Sequence, residues 1–153
     1  MLGQVKVRFE GDRYVAEDDR ADNPLTLDEA FLRQSLFQVP VMVEVHGIQI
    51  FAQETGLYYM ATRGYEVVES LGRKRRAVLT PPLGGKLVFE VVGDEVTILD
   101  PLTGREVQCR LPDLQVAWST FTNTARQWLL REFPELVDHR QAGAWFRAEG
   151  IDR

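Results

Sequence analysis

Side chains able to do covalent or metal chemistry are sparse in this chain. There is one cysteine, Cys109, and there are two histidines, His46 and His139. A thiolate nucleophile needs a lowered pKa and a base beside it, and neither histidine has a local partner in the sequence. Cys109 sits in Val107-Gln108-Cys109-Arg110-Leu111, on the apolar side of an alternating segment. It therefore reads as a small buried hydrophobe. His46 precedes Gly47 between two β-rich runs, and a turn residue that tolerates positive φ needs no ligand role. Glu44, Glu66, Glu69 and Glu90 could serve as general acid–base pairs if the fold brought them together. Each fits a polar strand face equally well. A metal centre needs clustered ligands at set spacing, and two distant histidines with one cysteine do not supply it. Gly84-Gly85-Lys86 is followed by Leu87 and a strand pattern, not by the Ser/Thr and helix of a phosphate loop, so it is read as a turn. No catalytic residue, metal or cofactor is assigned.

Charge gives two further candidates. Glu17, Asp18, Asp19 and Asp22 crowd one segment in which Arg20 is the basic residue. The run lacks the glycine and the terminal glutamate of a calcium loop. It reads as a solvated loop whose charge suits a basic protein partner. Arg73-Lys74-Arg75-Arg76 follows Tyr58, Tyr59 and Tyr65 in sequence, and basic residues with aromatics can form a platform for single-stranded nucleic acid. The net charge is −5, spread unevenly: −4 over residues 1–30, +4 over 63–86 and −4 over 87–115. A dedicated nucleic-acid binder is usually basic, so nucleic acid is not the expected partner.

The elements that must position these residues follow from periodicity. Val5, Val7 and Phe9 alternate with Lys6 and Arg8, and Arg13 to Glu17 predicts the returning arm of a hairpin. Thr26 and Glu29 form a capping-box pattern. This predicts a helix from Leu27 that carries Leu36 and Phe37 and ends before Pro40. Val41–Val45 and Ile48–Ala52 flank His46-Gly47 as a second hairpin. Leu57–Met60 reads as a strand, Tyr65–Glu69 as a strand or a helical turn, and Arg76–Leu79 as a strand. From Lys86 three alternating runs, separated by Gly93-Asp94 and by Asp100–Gly104, predict a meander ending at Leu111.

Pro112-Asp113 then opens a long amphipathic segment from Leu114 to Phe133. Leu114, Ala117, Trp118, Phe121, Ala125, Trp128, Leu129 and Phe133 recur at spacings of three and four, the stripe of one helix. The same aromatics could line a ligand pocket, but core packing is the simpler reading. Pro134 stops the helix, and Ala142–Phe146 predicts a short terminal helical turn that tucks Trp145 or Phe146 against the body. At 153 residues the chain fits one α+β domain over 1–153. Its expected form is an antiparallel sheet of about five to seven strands, with the long helix and a shorter one packed on it. No run is long and apolar enough to span a membrane. The N-terminal residues lack a secretory pattern, and the lone cysteine fits a reducing cytoplasm.

The last third carries a resemblance. Val107–Leu114, Phe121–Leu130, Phe133-Pro134-Glu135-Leu136 and Gly143-Ala144-Trp145-Phe146 are similar to the C-terminal part of small bacterial proteins, some of which resemble immunity proteins of polymorphic-toxin systems. The resemblance implies a small, acidic, cytoplasmic binding protein and carries no functional residues over; the absent catalytic motifs, the acidic balance and the acidic loop supply the rest. The expectation is thus an immunity-type inhibitor contacting a basic toxin through Glu17, Asp18, Asp19 and Asp22. The alternatives are a nucleic-acid- or small-ligand-binding protein using residues 73–76, and an enzyme with a dispersed site.

Overall fold

The computed structural model describes residues 4–11, 28–29, 32 and 37–148. The first predicted hairpin's second arm, most of the helix predicted from Leu27, and Glu17, Asp18, Asp19 and Asp22 lie outside the described residues. Among the described residues there are seven antiparallel strands, within the expected five to seven, and they divide into two sheets. β1 (Val5–Phe9), β2 (Gln38–Val45) and β3 (Ile48–Gly56) form one, in that order. After α1 (Leu57–Ser70), β4 (Arg76–Leu79), β5 (Leu87–Val92), β6 (Glu95–Asp100) and β7 (Arg105–Arg110) form the other, a meander. α2 (Leu111–Glu132) follows β7 without a loop, and a 3₁₀ turn (Pro134–Asp138) leads to α3 (Gly143–Arg147).

The β2–β3 hairpin shows how local chemistry fixes register. His46 and Gly47 both have positive φ, 55° and 80°. That is the two-residue turn whose twist matches the flanking strands. Val39, Val41, Val43 and Val45 then point to one buried face. Pro40 lies inside β2, two residues after the strand begins, where a helix end was expected. Its carbonyl accepts from the Glu10 N–H at 3.0 Å, so its backbone faces β1. The missing N–H therefore removes no bond to β3. Phe37 is not helical either. It has φ 59°, a rare conformation for an aromatic residue, and its ring is buried 5.1 Å from that of Phe133.

Leu57–Met60 is not a strand, and Tyr65–Glu69 takes the helical alternative: both belong to one 14-residue helix, α1. Leu57, Met60, Ala61, Gly64, Val67 and Val68 are buried, a helical stripe in which tyrosines and a glycine obscure the period. α1 packs on α2 at Gly64, where a Cβ would stand 2.6 Å from Trp118 Cζ2. Trp118 is fully buried, and its Nε1–H donates to the Met60 carbonyl at 3.0 Å. The Thr122 hydroxyl donates to the Ala61 carbonyl at 3.0 Å. Further along the same stripe of α2, Phe9 of β1 meets Phe121 and Trp128 edge-on at 6.0 and 5.7 Å. The predicted stripe is core, with Ala117 and Trp128 only part-buried. The C-terminal turn docks as expected, Phe146 stacking on Tyr58 at 5.5 Å.

Gly64→Ala should therefore destabilise the protein, although alanine is the better helix former by about 1 kcal/mol. Overpacking a fixed aromatic costs about 1–3 kcal/mol, which leaves a net loss of about 1 kcal/mol in chemical denaturation. In a Trp118→Phe background the clashing ring atoms are gone, and the same substitution should become neutral or stabilising.

Candidate functional site

A concavity of about 660 Å³ lies along β7, at the seam between the two sheets. Residues 106–110 of β7 line it. His46 and Ile48 of the β2–β3 hairpin line it from one side, Asp94 and Glu95 from the β5–β6 turn, and Asp113 from the first turn of α2. Four carboxylates thus face one guanidinium, that of Arg110, which meets Asp94 at 3.5 Å. Both partners are exposed, and such a pair contributes little energy. Ile48, 45% exposed, adds an apolar rim. A second groove of about 650 Å³ shares Asp113 and continues between β1 and α2, past Lys6, Arg8 and Val116.

Burial pushes the Cys109 thiol up to about 12, and the Asp113 carboxylate adds to the rise. A nucleophilic cysteine needs the opposite shift. His46 Nε2 lies 3.1 Å from the Gln108 carbonyl oxygen, a contact that requires the proton on Nε2 and ties the hairpin to β7. Among the described residues no three of His, Cys, Asp and Glu gather as metal ligands.

The other sequence candidates fare differently. His139 is buried, and its Nδ1 accepts from the Gln141 and Ala142 N–H groups at 3.1 and 3.0 Å, a structural role at the start of α3. The four dispersed glutamates are not assembled into an acid–base site. Glu66 and Glu69 lie on α1, not on a strand, Glu66 contacts Arg63 at 3.4 Å, Glu90 contacts Arg76 at 3.3 Å, and Glu44 stands opposite Lys6 in the β1–β2 ladder. Gly84 and Gly85 have φ of 106° and 81° in a turn before β5.

Arg73, Lys74 and Arg76 line a groove of about 490 Å³ with Arg63 and Tyr65. Of the tyrosines that the alternative platform would use, Tyr65 lines this groove, whereas Tyr58 is buried against Phe146 and Trp145. Arg63 and Arg76 are engaged by carboxylates, and Arg75 donates to the Gly93 carbonyl at 3.1 Å.

Sequence reasoning did not single out Asp94, Glu95, Glu106 and Asp113. Their signal was the −4 balance of residues 87–115, which the meander folds onto one seam. Comparison of the chain with protein-family models, curated proteins and solved structures finds no match.

The thiol gives a direct check. A thiol reagent should label Cys109 slowly in the native protein and quickly in denaturant. The folded thiol keeps its proton while the unfolded one loses it near its ordinary 9.0, so its contribution to stability is full below that pH and is lost as pH rises toward about 12. Cys109→Ala should flatten that part of the alkaline stability profile.

Proposed function

We propose that this protein is a non-enzymatic binding protein that engages a basic protein surface, in the manner of an immunity-type inhibitor that neutralises a bacterial toxin domain by direct contact. The observation that carries the reading is the groove along β7, where Asp94, Glu95, Glu106 and Asp113 stand around an inert thiol beside exposed Ile48. Carboxylates gathered in a cleft focus the field and speed encounter with a cationic partner, such as a nuclease domain. The net charge of −5 acts in the same direction. The acidic segment Glu17, Asp18, Asp19 and Asp22 is a second proposed contact, and a cytoplasmic location is part of the proposal. No helix among the described residues is long and apolar enough to cross a membrane. The second reading is a nucleic-acid contact through Arg73 and Lys74, which form no ion pair among the described residues.

The test is kinetic, on a partner captured from native extract and then purified. Glu95→Gln, Glu106→Gln and Asp113→Asn together should lower its association rate by roughly tenfold at low salt. The loss should shrink as the Debye length falls from about 10 Å at 0.1 M to about 3 Å at 1 M. Exposed charges contribute little to folding, so stability should move by no more than about 0.5 kcal/mol. Neutralising Glu17, Asp18, Asp19 and Asp22 in a separate variant weighs the second contact. An association rate indifferent to both sets and to salt would overturn the reading. A salt-sensitive oligonucleotide complex lost on Arg73→Glu/Lys74→Glu would move the function to the basic groove.

A further inference from the structure

The strand that lines the acidic groove is also the edge of its sheet. Among the described residues β6 pairs with one side of β7, and no strand pairs with the other. The phase of the ladder follows from one bond. The Leu111 N–H donates to the Asp94 carbonyl at 2.7 Å, in line with the β6–β7 register. In an antiparallel pair, hydrogen-bonded and non-hydrogen-bonded positions alternate. Cys109 and Val107 therefore direct their backbone groups to β6, and Glu106, Gln108 and Arg110 direct theirs outward. His46 corroborates this phase, because its Nε2 meets the Gln108 carbonyl from the groove side. The N–H groups of Glu106, Gln108 and Arg110 thus line the groove as a row of donors.

We propose that the groove receives an extended, basic segment of a partner protein as a fifth strand beside β7. This deepens the reading above and rests on it. Bare sheet edges bind peptides by completing the ladder, with main-chain bonds giving affinity and alternate side chains giving specificity. Here one exposed face carries Glu106 on the edge strand itself and Glu95 one strand further in, across from Arg110. Every second residue of an added strand stands over that face. Lysine or arginine opposite Glu106 meets it directly, opposite charges across strands attracting, and the position opposite Arg110 faces a guanidinium whose charge Glu95 offsets from β6. A second copy of this chain is a poorer occupant, because edge-to-edge pairing would bring two such acidic edges together. His46 regulates access. Its ring holds the Gln108 carbonyl, an acceptor the incoming strand needs, so the ring leaves as the strand docks.

The test uses a synthetic decapeptide with lysine at alternate positions and Val or Thr between them. A block isomer of the same composition and a form N-methylated on alternate backbone amides serve as controls. The alternating peptide should bind the whole protein at least tenfold more tightly than either control. It should also shift the Glu106, Gln108 and Arg110 amide resonances and slow their hydrogen exchange. Gln108→Pro removes one outward donor and leaves the β6 ladder intact, so it should weaken binding at least tenfold. His46→Asn, which keeps a residue suited to the turn but cannot reach the Gln108 carbonyl, should strengthen binding severalfold. The N-methylated peptide tests the same bonds on the wild-type chain, whatever Gln108→Pro does to folding. Equal affinity for all three peptides, exchange protection on another surface, no binding, or dimerisation through β7 would each overturn strand addition. If binding survives Gln108→Pro and N-methylation yet is lost with Glu95→Gln and Glu106→Gln, the acidic groove stands and strand addition fails. Binding insensitive to both sets removes both.

Discussion

The close approach of α1 and α2 at Gly64 is the constraint on which the rest of the arrangement depends. A glycine there lets a tryptophan ring lie against the α1 backbone, and the indole N–H satisfies itself on the Met60 carbonyl. Two bonds from α2 to adjacent α1 carbonyls, from Trp118 and Thr122, fix both the height and the rotation of one helix on the other. With α2 held this way, Phe121 and Trp128 of the same stripe meet Phe9, which ties β1 and its sheet to the helix pair. α2 also follows β7 without a loop, so fixing the helix fixes the second sheet. The seam between the sheets, and hence the groove, is a consequence of that one contact.

The groove illustrates how a fold built for packing leaves charge and backbone donors at its surface. β7 turns Val107 and Cys109 into the core and leaves Glu106, Gln108 and Arg110 outside. The same geometry that inserts Cys109 as a hydrophobe denies it any reactivity, because desolvation penalises the thiolate. What remains at the surface is charge, backbone donors and a little apolar area, which are the materials of binding. The single hydrogen bond from His46 joins the two sheets across this surface.

Residues 57–70 show why some of the chain was illegible. Tyrosines and valines favour strands as single residues, and Gly64 weakens a helix. Local preference therefore opposed the structure adopted. The helix forms because its stripe is buried against α2, whose own sequence lies some fifty residues away. Pro40 and Phe37 make the same point in reverse. A proline suggested the approach of a helix end, but the sheet accepts it because its backbone faces the β1 side.

The sequence by itself determined the meander from Lys86 to Leu111, the His46-Gly47 hairpin, the long aromatic helix and the burial of Cys109. Each is set by periodicity and turn chemistry within a few residues, where neighbours along the chain are also neighbours in space. The tertiary structure alone decided that the strands divide into two sheets, that residues 57–70 are helical, and that Asp94, Glu95, Glu106 and Asp113 share one groove with the open edge of β7. These depend on contacts between distant segments. The acidic balance of residues 87–115 was visible as a sum, but a sum carries no direction. Only the packing of the hairpin turn beside β7 placed those charges around a common space.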